Sequence, residues 1–316
     1  MIVAITGGTG FIGRQLIVRH CSRGDQVRYL TRKQPLRDID GATAFVGDLR
    51  SSEPVLREFA RGADVLYHCA AELRNEAAMH STNVLGTTNL MAAAIGEVGR
   101  WVHLSSTGVY GCQLREDIDE ETAVNPVNAY EVSKIASERQ LVEAAEHRNF
   151  SGVVLRASNV YGTDMPNQSL YQLIRMIDRG LYFFIGKPGA VANYVHVENV
   201  VDALLLCATE KLPGNGRTYI VSDHRKLEDF VAIVARALDK APPGLRLPEP
   251  LVRAVAMVAG RVPGFPLSPS RVNALTDRTV YCIDRIRTEL GYENRISMEA
   301  GLSELARHWK TRSRDA

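Results

Sequence analysis

The chain has 316 residues, 45% hydrophobic and 23% charged, and its 38 basic and 36 acidic side chains leave a net charge of +2. This composition suits one large α/β unit or a core domain with a smaller lobe, and without a basic stripe or an acidic tail it excludes nucleic acid as an expected partner. The chain has no run of about 18 apolar residues, so no membrane-spanning helix is predicted. Its five scattered cysteines lack C-x-x-C spacing, which argues against a disulfide framework or a structural zinc site.

The first two-thirds of the chain alternates short β-branched runs with helical stretches, which is typical of parallel βαβ units. Met1 leads directly into the first run without a charged leader, so we expect no signal peptide and a cytoplasmic protein. Strands are predicted at Ile2–Ile5, Gln26–Leu30, Ala44–Val46, Val65–His68, Trp101–Leu104 and Val153–Leu155. Helices are predicted at Gln15–Ser22, Glu53–Arg61, Ser81–Gly96 and Ala129–Arg148. The expected fold class is α/β, with a doubly wound parallel sheet of the Rossmann type.

After about residue 163 the alternation breaks, which indicates a smaller C-terminal substrate-binding lobe over the carboxyl edge of the sheet. Predicted elements there are Leu170–Arg179, Tyr194–Val197, Val200–Ala208, Thr218–Val221, Leu227–Leu238 and Leu251–Ala259, the last ended by Pro263, Pro266 and Pro269. We assign residues 1–162 to the dinucleotide-binding domain, with 192–223 returning to it, and residues 163–316 mainly to the lobe.

A glycine-rich segment follows the first strand and opens the first helix. Gly7, Gly10 and Gly13 have the spacing that permits a tight turn, close approach of the backbone to a pyrophosphate, and close helix–strand packing. Phe11 and Ile12 begin the helix, whose N-terminal N–H groups and dipole favour an anion. The segment predicts a dinucleotide site.

The end of the second strand distinguishes between the two nicotinamide dinucleotides. An NAD site normally places Asp or Glu there to hold the ribose 2′-OH, but this chain reads Thr31-Arg32-Lys33. Arg32 is suited to pair with a 2′-phosphate. We therefore expect NADP, with NAD as the alternative, and a solvated loop is the plainer interpretation of the two cations.

Tyr130 and Lys134 stand four apart at the start of a long predicted helix and so share one face. A nearby ammonium and an oxidised nicotinamide both favour the phenolate, which lowers the tyrosine pKa from its usual value near 10 and makes Tyr130 an acid/base. Lys134 also holds the nicotinamide ribose. Ser106, in a run of hydroxyls at the end of a strand, is placed to hydrogen-bond the substrate oxygen.

Together these motifs resemble the extended short-chain dehydrogenase/reductase family over most of the chain. The resemblance implies that Asp48 and Leu49 contact adenine and that Ala70, Ala71 and Asn83 lie beside the cofactor. It selects Ser106, Tyr130 and Lys134 as the catalytic residues and Ser106, Thr107, Asn159 and Tyr194 as substrate contacts. The matching segments are Gly47-Asp48-Leu49, His68-Cys69-Ala70-Ala71, Ser105–Gly111, Leu155–Gly162, Tyr194–Val200, Glu289–Tyr292 and Glu299–Leu302.

Departures from the family pattern leave the substrate open. Ala192 stands where epimerase-like members carry an arginine that grips a nucleotide diphosphate, although Arg175, Arg179 and Lys187 remain as cations to meet phosphate. The leading hypothesis is a nucleotide-sugar 4-epimerase or 4-keto reductase. The alternatives are a 3β-hydroxysteroid dehydrogenase-like oxidoreductase of a hydrophobic alcohol and a non-catalytic NADP-binding sensor. We expect no metal site, because no histidines have ligand spacing. A homodimer is the expected assembly.

Overall fold

The computed structural model describes residues 1–35, 39, 41–51, 53–111, 116–147, 150–209, 215–259 and 267–312. Its central feature is a seven-stranded, fully parallel sheet with the strand order β3-β2-β1-β4-β5-β7-β11. Its strands are β1 (Ile2–Thr6), β2 (Gln26–Thr31), β3 (Ala42–Val46), β4 (Ala63–His68), β5 (Val98–Ser106), β7 (Gly152–Ala157) and β11 (Arg217–Val221). This doubly wound sheet confirms the predicted fold class.

Helices cover both faces of the sheet because its strands are apolar on both sides, as β1 and β7 show. The helices of this part are α1 (Phe11–Ser22), α2 (Glu53–Ala60), α3 (Glu76–Met79), α4 (Gly86–Ala94), α5 (Ala129–His147) and α7 (Val197–Cys207). Helix α7 packs on α1, and β11 pairs with β7, so both elements belong to the sheet layer although they follow the lobe in sequence.

The remaining elements, apart from the helix Asp284–Leu290 that packs on β11, form a second layer whose main apolar core is separate from that of the sheet. A three-stranded sheet joins β8 (Asn159–Tyr161), β10 (Val191–His196) and β12 (Asp223–Lys226), and two-residue strands pair β6 (Asp117–Ile118) with β14 (Val280–Tyr281) and β9 (Phe184–Ile185) with β13 (Arg246–Leu247). The helices are α6 (Gln168–Asp178), α8 (Leu227–Ala237), α9 (Glu249–Ala259), α10 (Pro269–Thr276), α11 (Asp284–Leu290) and α12 (Met298–Arg312). Within the described ranges, no helix combines the length and the apolar character needed to cross a membrane.

Three predicted boundaries are wrong for identifiable reasons. Helix α1 begins at Phe11 rather than at Gln15, because the glycine turn leads straight into it. The helix predicted at Ser81–Gly96 is instead a continuous run from Glu76 to Ala94 that contains a π-helical segment, His80–Leu85. Pro269 begins α10 rather than ending α9, because the Ser268 hydroxyl caps that helix and proline suits its first turn; Pro263 and Pro266 lie outside the described residues.

Candidate active site

The glycine turn is shaped largely by contacts within the protein. Gly7 adopts φ +71°, and a Cβ atom there would lie 2.7 Å from the backbone nitrogen of Ala70. A Cβ atom on Gly13 would lie 2.2 Å from the Gly7 carbonyl oxygen, because α1 passes directly beneath the turn. Both positions therefore exclude a side chain on packing grounds alone.

Gly10 is different, because its missing side chain faces outward. The residue is exposed, and the one neighbour its Cβ atom would approach is the Gly7 carbonyl oxygen at 3.1 Å. Gly10 is also the N-cap of α1 and carries no side-chain cap, so the first N–H groups of the helix, beginning at Phe11 and Ile12, have no intrahelical acceptor. This exposed cradle fits a pyrophosphate.

The carboxyl edge of β2 and β3 brings Arg32 toward two carboxylates. The pKa of Asp48 is lowered first by its hydrogen bond to Arg50, at 2.9 Å, and further by Arg32; the pKa of Glu72 is lowered by backbone N–H groups and again by Arg32. Arg32 is exposed. Leu49 is buried, and its carbonyl accepts a hydrogen bond from Asn89 at 3.1 Å. In a dinucleotide-binding fold this end of the second strand is where the adenosine ribose is expected, so Arg32 remains the candidate for a 2′-phosphate.

This placement predicts a preference for NADPH. Arg32→Ala should weaken NADPH binding about tenfold, the cost of one charge-assisted pair, and leave NADH binding nearly unchanged. Fluorescence titration of both cofactors measures this, with Lys33→Ala, which removes the neighbouring exposed cation, as the matched control. Tighter binding of NADH by the wild type, with no effect of Arg32→Ala, would reject the assignment.

The segment after β4 is held by Asn83. Its amide oxygen accepts the Glu72 N–H at 2.7 Å, and its amide nitrogen donates to the Glu72 carbonyl at 3.0 Å and to Ser133 Oγ at 2.9 Å. The π-helical segment turns Asn83 inward to make these bonds. The side chain predicted to contact the cofactor is therefore engaged with protein groups, and it positions the loop that carries Ala70 and Ala71.

Ser106 ends β5 and Tyr130 lies in the first turn of α5. The Asn128 side chain caps α5 by accepting the Glu131 N–H at 3.0 Å, and the Glu131 carboxylate accepts the Val127 N–H at 2.7 Å, which fixes the start of the helix. Ser106 Oγ accepts the Gly108 N–H at 3.1 Å and keeps its own hydrogen to donate. A Cβ atom on Gly108 would lie 3.3 Å from Ser106 Oγ and 3.4 Å from Glu131 Oε1, so the strand end and the helix start meet here.

Lys134 is buried beneath this junction. Its Nζ donates to the Leu104 carbonyl oxygen at 2.6 Å and lies 3.2 Å from His103 Nε2. Burial lowers the pKa of Lys134 to about 8, although Glu138 and Cys69 act in the opposite direction. The helix is thereby tied to β5 through a lysine that changes charge just above neutral pH.

The pKa of Tyr130 differs from the sequence-based expectation. Burial, with Glu131 and Glu138 adding to it, raises this pKa to about 12 instead of lowering it. The Lys134 ammonium, which donates to β5, does not offset this burial. In the protein alone Tyr130 is therefore a protonated phenol at neutral pH, able to donate a proton.

The predicted substrate residues fall into two groups. Thr107 follows Ser106 and is buried, and Tyr281 of β14 shares a hydrogen bond with it. Asn159 and Tyr194 are register partners on β8 and β10. The amide of Asn159 donates to the Asn193 carbonyl at 3.1 Å, and the ring of Tyr194 packs against Phe230, with ring centroids 5.1 Å apart. Tyr194 is thus a packing residue of the lobe as well as a substrate candidate.

Sequence reasoning missed His103. The absence of metal-ligand spacing gives it no predicted role, whereas the structure buries it completely within β5 beside Lys134. The alternation of β5 carries a usable signal, because it places His103 and Ser105 on the face that α5 covers. In the described part of the chain, no group of three or more His, Cys, Asp or Glu side chains is placed to hold a metal.

Comparison with known proteins places the chain in one protein family. The sequence model of the NAD dependent epimerase/dehydratase family matches residues 3–222. A 4-hydroxy-2-methyl-3-oxo-4-farnesyl-3,4-dihydroquinoline-1-oxide ketoreductase from Stigmatella aurantiaca is 31% identical over 95% of this chain and 94% of its own length. Short-chain dehydrogenase/reductase family 42E member 1 from Danio rerio is 27% identical over 92% of this chain and 84% of its own.

Among solved structures, MoeE5 in complex with UDP-glucuronic acid and NAD superposes with a TM-score of 0.77 at 25% identity, covering 99% of this chain and 100% of that chain. The relatives are named as reductases and dehydrogenases, and this structural neighbour binds NAD and a nucleotide sugar. The comparisons therefore agree on the class of chemistry and differ in the substrate.

Proposed function

This chain belongs to the NAD-dependent epimerase/dehydratase family and is an enzyme of the extended short-chain dehydrogenase/reductase type, and from that premise we propose that it reduces the ketone of an apolar, nucleotide-free substrate to a secondary alcohol. The observation that supports the reaction is the junction of β5 and α5, where β5 ends at Ser106, the first turn of α5 carries a protonated Tyr130, and Lys134 of α5 donates to the Leu104 carbonyl of β5. A sensor without catalysis is set aside, because the family is one of enzymes.

The chain's own groups divide the reaction between them. A reduced nicotinamide, when bound, supplies the hydride for the carbonyl carbon. The Tyr130 hydroxyl gives its proton to the carbonyl oxygen, so the C=O bond becomes a CH–OH group and the phenolate is reprotonated from solvent. Ser106 Oγ donates a hydrogen bond to the same oxygen, while the Lys134 ammonium holds the cofactor ribose and stabilises the phenolate.

Ala192 supports an apolar substrate. It is 5% exposed and lies within the apolar core of the lobe, with Tyr161, Phe184 and Phe230 in the same cluster. A diphosphate here would lack the arginine that the epimerase-like pattern provides at this position, and the exposed Arg225 is the cross-strand partner of Ala192. The ketoreductase from Stigmatella aurantiaca, which matches along nearly its whole length, is named for a farnesylated substrate.

A nucleotide-sugar 4-epimerase or 4-keto reductase is the second candidate. It is favoured by the likeness to MoeE5, which binds UDP-glucuronic acid, and by three exposed cations of the lobe, Arg175, Arg179 and Lys187. An epimerase retains its cofactor through both half-reactions, whereas a reductase consumes external NADPH or NADH, so cofactor consumption separates these activities.

Thermal unfolding tests the substrate class. We expect UDP and dTDP at millimolar concentration to leave Tm unchanged, because Ala192 replaces the arginine of the epimerase-like pattern, while NADPH raises Tm by mass action. 2′,5′-ADP, which carries the phosphates of the adenosine half of NADPH, is the matched nucleotide control and should raise Tm. Protection by UDP comparable to that by 2′,5′-ADP would move the assignment to the nucleotide-sugar candidate.

A further inference from the structure

Two buried polar contacts, one helical turn apart, join β5 to α5. Lys134 Nζ lies 3.2 Å from His103 Nε2, and the Ser105 hydroxyl donates to the Glu138 carboxylate. Two residues of a strand advance about 6.6 Å and four residues of a helix about 6 Å, so the two spacings match. The contacts are thus a regular feature of the strand–helix interface, and only the first of them includes a residue of the reaction.

The protonation state of His103 follows from its surroundings. Burial, with the charge of Lys134 and the neighbouring His68 adding to it, holds the pKa of His103 well below its ordinary value, so the ring is neutral. An ammonium group can only donate. His103 Nε2 must therefore accept the hydrogen bond from Lys134, and the ring proton resides on Nδ1.

The other groups facing Lys134 do not replace this acceptor. Glu138 lies one turn along α5 and is paired with Arg156 at 2.6 Å. Cys69, after β4, stays a thiol because burial raises its pKa to about 12. On β4, the ring of His68 bonds Thr6 at 2.7 Å and Thr87 at 2.9 Å, so both of its nitrogens are used. Tyr130, one turn back on α5, remains protonated.

We propose that His103 is a positioning residue for Lys134, whose ammonium it and the Leu104 carbonyl hold by two of its three protons so that the third points to the open side of the site. That third proton is the one left for the nicotinamide ribose and for Tyr130. The inference rests on the proposed function, because it assigns His103 a role through Lys134 in the same site.

Variants at His103 separate an acceptor from a space-filling residue. His103→Gln places an amide oxygen near the position of Nε2 and should retain the hydrogen bond. His103→Leu and His103→Met fill the space without an acceptor, so the ammonium loses one partner. Ser105→Ala is the matched control, because it removes the neighbouring strand–helix contact on the same face of β5 without touching Lys134.

Cofactor binding, which needs no substrate, is the readout. Fluorescence titration with NADPH from pH 7 to 9.5 should show wild-type affinity falling above pH about 8, where Lys134 loses its proton. In His103→Leu and His103→Met this midpoint should fall by about one pH unit, the effect of one lost hydrogen bond to a charged group. The charged fraction of Lys134 at pH 8 then falls from about one half to about one tenth, so affinity at that pH should be about three- to fivefold lower. His103→Gln and Ser105→Ala should follow the wild type.

An unchanged midpoint in folded His103→Leu or His103→Met, or an equal shift in Ser105→Ala, would overturn the assignment. Thermal melts of each variant establish which are folded, and two apolar replacements guard against the loss of one. If ketones are not reduced but the titrations behave as expected, the proposed reaction fails while the role of His103 stands. If ketones are reduced and the midpoint does not move, the proposed reaction stands while the role of His103 fails.

Discussion

Tyr130→Phe is expected to lower turnover by roughly 10²–10⁴-fold, the range attributed to a positioned acid/base group, while the fold and the cofactor affinity persist. The substitution removes only a hydroxyl and keeps the half-buried ring at the start of α5. That hydroxyl is protonated at neutral pH, so the variant loses the proton donor for the substrate oxygen. Steady-state turnover of a ketone with NADPH measures the first effect, and fluorescence titration of NADPH measures the second.

Tyr171→Phe is the matched control for this prediction. It removes a hydroxyl that donates to the Thr163 carbonyl at 2.5 Å within the lobe, so it should cost about 1 kcal/mol of stability and leave turnover intact. Ser106→Ala should lower turnover without changing cofactor affinity. Combining it with Tyr130→Phe should cost less than the product of the single losses, because both act on one oxygen. Turnover of Tyr130→Phe within about threefold of wild type, well below the range for such groups, would reject Tyr130 as the acid.

The architecture was predictable where one pattern determined it. The strand–turn–helix unit at Gly7–Gly13 and the parallel sheet follow from short apolar runs alternating with helical periods. Strands β6 and β14 were missed for a physical reason: they are two residues each and pair across 163 residues of the chain, so no local periodicity predicts them. Helix α12 was missed although its buried residues, Met298, Gly301, Leu302, Leu305 and Ala306, follow the helical period.

At the site, residue types were predictable but directions were not. Tyr130 and Lys134 share a helical face by spacing alone, yet whether the ammonium points to the tyrosine or to the strand depends on the register between β5 and α5. The sequence-based expectation of a lowered tyrosine pKa assumed the first, and the structure shows the second. Asn83 was similarly placed near the cofactor, but the π-helical segment that turns it toward Glu72 leaves no sequence pattern. The NADP preference, the site roles and the domain limits remain predictions.

The largest combined effect is expected for Lys134→Met, which removes a buried ammonium. Turnover should fall by at least about 10²-fold and cofactor affinity by about tenfold, because in the proposed mechanism one group serves both Tyr130 and the ribose. Stability should respond differently. Burial lowers the pKa of Lys134 from 10.5 to about 8, so between these values the folded protein binds fewer protons than the unfolded chain, and the contribution of the lysine to stability rises with pH.

Burial of the charged Lys134 ammonium therefore lowers the free energy of unfolding below about pH 8. Methionine removes this penalty but leaves the Leu104 carbonyl without its Lys134 donor. From pH 7 to pH 10, the free energy of unfolding of the wild type should increase relative to that of Lys134→Met by on the order of 2 kcal/mol. Urea unfolding of both proteins at both pH values measures this difference. Arg139→Met removes an exposed cation from the same helix and should show neither the loss of turnover nor the pH-dependent difference. A difference in stability that does not change with pH would show that Lys134 is not held in the buried, partly deprotonated state that its contacts with β5 imply.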